Sequence, residues 1–414
     1  MDGLTVCVNG IEQPPFEFRP NGASLVERDQ RLYLEEAGYE VYTVRPSYPE
    51  VPISEGDFHL PSIKLPNAEN YRIAKPFDPW TQRGLDAWIR QLQPEMMYLH
   101  GPYQVAAKLA VIAKKYGIPY ALHVHTHISG YVESRVPEYL WPIAKRFALN
   151  RARRLADRAS VTIFPSATYE AIFKAETWFN GPSLVFPSFI QPFPILSKRE
   201  LENANYRLRS GTNLPLNRFL YPGIVVHSRL EKEKNPEYAM QCFAELIKLV
   251  IERPIRGIQS PLLIYIGGGT SSCKEHLVWL AQEYGISNLV YFTGARSNEE
   301  AKQILQTANQ CWFLSDTDTQ GIVPLEAGYA GVPVFGLEDQ PFDEFFGEKK
   351  FLAVPNNKPG VLARRSYALM SDSCKHMEMA DHCNSVALKY SDVRKYKKHF
   401  LDICQHIVIG TQVI

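Results

Sequence analysis

The chain has 414 residues, 45% hydrophobic and 21% charged, an ordinary balance for a globular protein of about two or three domains. Its 45 Lys and Arg against 44 Asp and Glu leave a net charge of +1, which gives no support to nucleic-acid binding. Seven scattered cysteines, odd in number and without a Cys-x-x-Cys pair, argue against a disulfide framework or a cysteine zinc site and for a reducing compartment. The first residues lack the basic start and apolar core of a signal peptide. No run approaches the ~18 apolar residues of a membrane span, so any membrane contact is expected to be peripheral.

The first half alternates strand and helix signals. Leu4 to Val8 reads as a strand, followed by a loop ending in Pro20-Asn21-Gly22-Ala23-Ser24 and a helix to about Ala37. Val41 to Val44 and Met96 to Leu99 are the next strands. A helix from Val105 to Tyr116 is closed by Gly117 and Pro119. Tyr120 to Val124 is a strand ending in His125-Thr126-His127, and Val161 to Phe164 closes the series. Strands joined by helices predict a parallel sheet covered on both faces. Between them, residues 143–158 read as a helix that sets Lys145, Arg146, Arg151, Arg153, Arg154 and Arg158 against Asp157 alone. Leu149, Ala152, Leu155 and Ala156 share its apolar side, and Phe147 lies among the cations. A face of this kind suits an anionic lipid surface, although a solvated basic face is as economical a reading.

A Pro-rich stretch from Pro187 to Pro194 marks a boundary, and residues 195–217 read as a polar linker or loop. A second α/β series follows. Tyr221 to His227 is a strand and Tyr238 to Ile251 a helix. Leu262 to Ile266 is a strand ending in Gly267-Gly268-Gly269, and Leu289 to Phe292 one ending in Thr293-Gly294. Cys311 to Leu314 and Val332 to Phe335 complete it. The expected domains are 1–190, 191–384 and a last helix, about Ser385 to Ile407, that crosses back to the first domain.

The most specific stretch is Phe313 to Gly336. It passes from a strand through Asp316-Thr317-Asp318 to Gly321, then to a helix start around Pro324-Leu325-Glu326 and a short strand. That layout suits a nucleotide site, where phosphate meets backbone N–H groups at a helix N-terminus beyond a strand end. Asp316 and Asp318 could alternatively ligate a hard cation, but no further acid lies close by. Upstream, Arg229 and Lys234 lie in a mixed-charge loop, with a planar fork and a point charge that can hold a diphosphate. His123, His125 and His127 alternate, so a continued strand would place three possible zinc ligands on one face.

The run Thr317-Asp318-Thr319-Gln320-Gly321-Ile322-Val323-Pro324-Leu325-Glu326-Ala327 resembles the donor-sugar motif of the family 4 retaining glycosyltransferases. That family usually carries Glu where this chain has Asp318 and an aromatic residue where it has Gln320. Arg229-Leu230 with Lys234-Asn235 resembles its phosphate-binding segment, and His125-Thr126 its His-Thr pair beside the reactive carbon. The resemblance implies a GT-B fold, an α/β architecture of two Rossmann-like domains facing a central cleft. It implies a retaining, metal-independent hexosyl transfer from a UDP-sugar, with no cofactor.

By the same resemblance His125, Asp318, Arg229 and Lys234 are catalytic. Gly22, Gly268, Gly294, Gly321, Ile322, Val323 and Glu326 bind the donor, with Glu326 on the ribose. Glu344 falls near the acceptor side. Segments Leu60 to Pro66 and Tyr71 to Pro76 are similar to those of glycolipid-making members, implying a diacylglycerol or monoglycosyldiacylglycerol acceptor. The expected location is the cytoplasmic face of a membrane, or the equivalent plastid or thylakoid face. Lys145, Arg146, Arg151, Arg154 and Arg158 would touch that surface. A soluble or polysaccharide acceptor, or a non-catalytic nucleotide-sugar binder, would carry the same donor motif.

Overall fold

A computed structural model describes the chain except residues 1–4, 17–20, 53–55, 65–71, 211–221 and 411–414. Leu4, Pro20, Tyr221, the Leu65 to Tyr71 part of the glycolipid-like segments and the end of the expected linker therefore lie outside the described residues. The chain divides into two compact units, residues 1–188 with 393–414, and residues 189–392.

The first unit contains strands β1 (Val6–Ile11), β2 (Glu40–Pro46), β3 (Asp57–Leu60), β4 (Ser62–Lys64), β5 (Arg72–Ala74), β6 (Met96–His100), β7 (Tyr120–His123), β8 (Val161–Phe164) and β9 (Ser183–Val185). Seven form a parallel sheet in the order β3-β2-β1-β6-β7-β8-β9, with Val8 opposite both Tyr42 and Met97. β4 and β5 make a separate antiparallel pair. The chain order reverses between β1 and β6, the kind of point where ligands gather in open α/β sheets. Apolar strands such as Met96–His100 are buried along their whole length because helices cover both faces. Val8, Leu99, Leu109, Phe164 and Phe173 are among the core residues.

The second unit repeats the plan. β10 (Gly223–His227), β11 (Leu262–Ile266), β12 (Val290–Phe292), β13 (Gln310–Phe313), β14 (Val334–Leu337) and β15 (Ala353–Val354) form a parallel sheet in the order β12-β11-β10-β13-β14-β15. Its core includes Val225, Phe243, Ile264, Trp312 and Phe335. Two Rossmann-like units thus stand where the two α/β series were read.

Local chemistry explains the helix starts. Asn21 caps Gly22–Glu36 by accepting the Ser24 N–H at 3.0 Å, and Ser297 forms a reciprocal capping box with Glu300. Residues 195–217 are not the open linker expected, since Lys198–Ser210 is helical. The stretch is rich in charged and polar residues, so it reads as a loop, yet Ser197 and Glu200 carry the capping signal. The Ser197 N–H donates to Glu200 Oε2 at 2.8 Å, and the Ser197 hydroxyl donates to the same oxygen at 2.6 Å. The expected final helix is also two helices, Ser373–Lys389 and Val393–Ile409, separated at Ser391-Asp392, residue types that favour a new start. The second of these packs within the first unit. Gln30 Nε2 donates to Tyr396 Oη at 3.1 Å, and Phe400 meets the Tyr98 ring edge-on at 5.5 Å.

One buried carboxylate organises the end of β1. Glu12 accepts the Ala74 N–H at 2.7 Å and the Val105 N–H at 2.9 Å, so it joins β5 to the first turn of helix Gln104–Tyr116. Burial pushes its carboxyl up to about 7, although both N–H donors and the nearby Arg151 and Lys108 pull the other way.

Candidate active site

In the second unit the chemistry collects at the C-terminal ends of β10, β11 and β13. β10 and β13 are neighbours, so the loops that leave them run side by side. Lys234 Nζ reaches across to Asp318 Oδ2 at 2.7 Å. Three more bonds fasten the same loops. Ser315 Oγ and Thr317 Oγ1 donate to the Glu233 carbonyl at 3.2 and 3.1 Å, and Asn235 Nδ2 donates to the Leu314 carbonyl at 3.0 Å. Burial opposes charge on Asp318, but the Lys234 ammonium and its hydrogen bond, the Ser315 side chain and Arg229 outweigh it. The carboxyl is held below its ordinary range. Arg229 is half-exposed and forks onto Glu231 and Glu233 at 2.7 and 2.6 Å.

The glycines bring backbone together. Gly267, at φ +140°, passes so close to the next loop that an added Cβ would lie 2.1 Å from the Ser228 carbonyl oxygen. The Leu230 N–H donates to the Gly268 carbonyl at 2.8 Å, and the Gly267 N–H to the Gly294 carbonyl at 3.1 Å. Gly321 turns with φ +85° against the Phe313 ring and starts helix Ile322–Tyr329, where no side chain caps the first N–H groups. Ile322 and Val323 open that helix, and Glu326 follows one turn later. Glu326 is buried and pairs with Lys302 Nζ at 3.3 Å; burial raises its carboxyl and Lys302 limits the rise. Close to Lys302 lies His227, which burial, helped by that cation, pushes down to about 4. Among the described residues, His227 Nδ1 and Ser228 Oγ are buried without a hydrogen-bond partner, which marks a place prepared for a ligand or water.

In the first unit, Gly22 is the exposed first residue of its helix, beside the Asn21 cap. His125 follows the end of β7 and faces His100, from the end of β6, with Nε2 and Nδ1 3.1 Å apart. The His123 ring lies 3.7 Å from that of His125, and its Nδ1 is 3.0 Å from Tyr98 Oη. The histidine trio expected from alternation is therefore corrected. β7 stops at His123, and His127 turns away to accept the Gly130 N–H at 3.0 Å as a helix cap. His100, His123 and His125 do bring one possible ligand atom each within 4.8 Å of one another. Of the three, only His100 and His125 are within hydrogen-bond distance of each other, and among the described residues His100 Nε2 and His123 Nε2 have no hydrogen-bond partner.

The basic helix runs Trp141–Ala156, with Ala152, Leu155 and Ala156 buried. Arg146, Arg154 and Arg158 are exposed. Lys145 is paired with Glu133 and lies 5.5 Å from the Trp141 ring. Arg151 is not on the outer face as expected. It is half-buried; burial opposes its charge and the nearby Glu12 carboxylate favours it. At 100° per residue it lies about 80° round the helix from the exposed Ile143 and about 40° from the buried Leu155, on the flank of the core.

Two family descriptions match the chain. "Glycosyl transferases group 1" covers residues 221–388, and "Glycosyltransferase Family 4" covers residues 20–187. The alpha-monoglucosyldiacylglycerol synthase of Acholeplasma laidlawii is 23% identical over 331 residues, 77% of each chain. The chain belongs to the family 4 glycosyltransferases of GT-B fold. A D-inositol 3-phosphate glycosyltransferase of Corynebacterium urealyticum is 31% identical over 206 residues, 49% of this chain and 46% of its own. Among solved structures, the sucrose-phosphate synthase of Thermosynechococcus elongatus superimposes with a TM-score of 0.75 at 15% identity, covering 98% of this chain and all of that one. HepE of Anabaena, solved with UDP and glucose, gives 0.70 at 17% identity over 97% and 99%.

In this glycosyltransferase the second-unit residues singled out from sequence stand on adjoining loops. Three residues that contact or adjoin them were not singled out. Lys302 has no local signal, because it is one lysine in a polar helix. His100 could have been found from its place at the end of the strand beside His125. Ser228 stands where the family motif has Gly. Glu344 is exposed on the short helix Pro341–Phe346.

Gly267→Ala should cost about 2 kcal/mol or more in urea unfolding and weaken UDP binding in parallel, because the Ser228 carbonyl has nowhere to go. Acid should act through the histidines. Burial holds His100 and His123 far below the usual imidazole range and His125 down to about 3. An unfolded imidazole titrates near 6.5, so below that pH the unfolded chain binds protons that the native one refuses. Stability from each is complete above about 6.5 and lost as pH falls, at up to about 1.4 kcal/mol per pH unit. Glu12 has the opposite sign between 4.5 and about 7. The difference between wild type and His123→Gln isolates the histidine term: the variant's urea midpoint should fall less steeply between about pH 6.5 and 5.

Proposed function

We propose that this glycosyltransferase moves a hexose from a UDP-sugar to a membrane glycerolipid with retention of configuration, without a metal ion. The observation that carries the donor half is the Lys234–Asp318 pair, set between Arg229 and the uncapped start of helix Ile322–Tyr329. In the reaction the bond from the sugar's reactive carbon to diphosphate breaks, and negative charge grows on the leaving phosphate. Arg229, Lys234 and the N–H groups of Ile322 and Val323 neutralise it, which is the work a cation would otherwise do. Asp318 meets sugar hydroxyls and Glu326 the ribose. Gly268 and Gly294 give the nucleobase a backbone wall, and Gly22 gives phosphate close access to N–H groups. The acceptor hydroxyl attacks the face that the phosphate leaves and gives its proton to that phosphate, with neutral His125 positioned beside the reactive carbon. HepE, solved with UDP and glucose, supports the donor class.

The acceptor reading rests on two supports. The Acholeplasma laidlawii relative is named for making monoglucosyldiacylglycerol. The second support is the outer face of the region from Tyr139 to Arg158. Tyr139, Ile143 and Phe147 are 80%, 72% and 69% exposed, and Arg146, Arg154 and Arg158 lie on the same side. Apolar side chains with flanking cations suit an anionic bilayer surface, at about 1 kcal/mol per cation. No helix among the described residues is long and apolar enough to cross a membrane.

A donor screen with lipid extracts, reading released UDP and the product's anomeric configuration, tests the reaction. Activity should persist in EDTA, and Lys234→Met should lower kcat about 100-fold or more. Complete loss in EDTA restored by Mn²⁺ would reject the scheme. For the acceptor, co-sedimentation with anionic vesicles should fall about tenfold or more in Ile143→Glu/Phe147→Glu. Wild-type protein that ignores anionic lipid and salt would point to a soluble acceptor, the alternative favoured by the names of the inositol-phosphate and sucrose-phosphate relatives.

A further inference from the structure

Two helices of the second unit, Asn298–Gln306 and Ile322–Tyr329, meet over one short stretch of chain, residues 193–196, and all three lie within residues 189–392. Lys302 and Gln306 are four residues apart and share one side of the first helix, as Glu326 and Tyr329, three apart, share one side of the second. Gln306 fastens the stretch by its backbone. It accepts the Leu196 N–H at 2.8 Å and donates to the Pro194 carbonyl at 3.3 Å. Lys302 Nζ stands 3.3 Å from Glu326 Oε1 and 4.8 Å from the centre of the Phe193 ring. The Phe193 ring in turn lies 5.0 Å from that of Tyr329. Phe193 sits between Pro192 and Pro194, which fix φ on either side and keep Phe193 itself extended, so its ring is presented from a stiff backbone.

Stability alone does not account for the Lys302–Glu326 pair. Its side chains are only 13% and 6% exposed, and taking two charges out of water costs about as much as their attraction returns. An ionised carboxylate is nonetheless what a diol needs, because it accepts from hydroxyl groups in stronger, charge-assisted bonds. Burial works against that charge on Glu326, and Lys302 works for it. A lysine ammonium is a point charge on a flexible stem, so one contact does not fix it. The face of an aromatic ring supplies a second, and attracts a cation most where water is excluded. We infer that Lys302 is a positioning residue for the donor: steadied by the Phe193 ring, it holds the Glu326 carboxylate in place for the ribose hydroxyls, and residues 193–196 act on the donor site through it. This role rests on the ribose contact proposed for Glu326.

Calorimetric titration of the full chain with UDP, and with a dideoxy-UDP that lacks both ribose hydroxyls, tests the role. The wild type should bind UDP about tenfold or more tighter than the analogue. Lys302→Met should bring UDP down to about the analogue's affinity and leave the analogue's own affinity unchanged, which also shows that the variant is folded. Lys302→Arg, which keeps a cation over the ring, should restore most of the discrimination. Phe193→Leu keeps apolar bulk and loses the ring face. It should lower the discrimination severalfold beside Lys302 and not at all in the Lys302→Met background. Equal weakening of both nucleotides in Lys302→Met, or discrimination unchanged there, would overturn the role of Lys302. A Phe193→Leu effect of the same size in both backgrounds would overturn the link to residues 193–196. Wild-type protein that binds the two nucleotides equally, or neither, would instead reject the ribose contact of Glu326, and the role of Lys302 with it.

Discussion

The bond between Lys234 and Asp318 sets the geometry of the second unit's site. Neighbouring parallel strands deliver their C-terminal loops to the same edge, and this pair locks two such loops at a fixed separation. Three hydrogen bonds to backbone carbonyls reinforce it. Breaking a pair of this kind costs more than the pair contributes, because the partner left behind is a partly buried charge. The loops therefore hold their ionised groups in place in advance, the arrangement that stabilises charge developing on a substrate at least cost. The close approach at Gly267 serves the same end. It lets the loop after β11 brace the loop after β10 through backbone alone, and among the described residues His227 Nδ1 and Ser228 Oγ are left without a hydrogen-bond partner.

The strand ends of the first unit follow a different electrostatic rule. Its histidines are kept neutral by burial and by one another, and its central carboxylate, Glu12, is pushed toward neutrality while bound to two N–H donors. A neutral imidazole can orient a hydroxyl without adding charge, whereas the second unit offers fixed cations and an anion. The two sets of strand ends thus differ in kind, neutral hydrogen-bonding groups in the first unit and fixed charges in the second.

Much of this was legible in the sequence. The fold class followed from alternating strand and helix signals, and the run from Thr317 to Ala327 pointed with Arg229 and Lys234 to two loops that the fold places side by side. What stayed hidden shares a physical cause: contacts made across the sheet, which local pattern does not encode. Lys302 reaches Glu326 from a helix with no distinguishing spacing. His100 joins His125 only through register, and His127 leaves the trio because a helix begins one residue later and takes its ring as a cap. The helix Lys198–Ser210 was hidden for the opposite reason. It has a clear capping pair, but its few apolar positions are outnumbered by charged and polar ones, so composition masks the helical spacing.

Arg151 shows how the same limit alters an energetic argument. Read from sequence, the helix after Trp141 carries a broad band of cations. In the fold, Arg151 is drawn inward by Glu12, Lys145 is neutralised by Glu133, and Arg153 is 3.4 Å from Asp157. Arg146, Arg154 and Arg158 remain on the outer face beside Tyr139, Ile143 and Phe147. Surface attraction through the cations is screened over about 8 Å at physiological salt, whereas burial of the apolar side chains is not. Docking by this face would therefore start through charge but be held largely by apolar contact, with salt weakening it only in part. Arg151 adds to neither term at the surface, since its charge is favoured from the core side by the buried Glu12 carboxylate that also fixes β5 and the helix after β6.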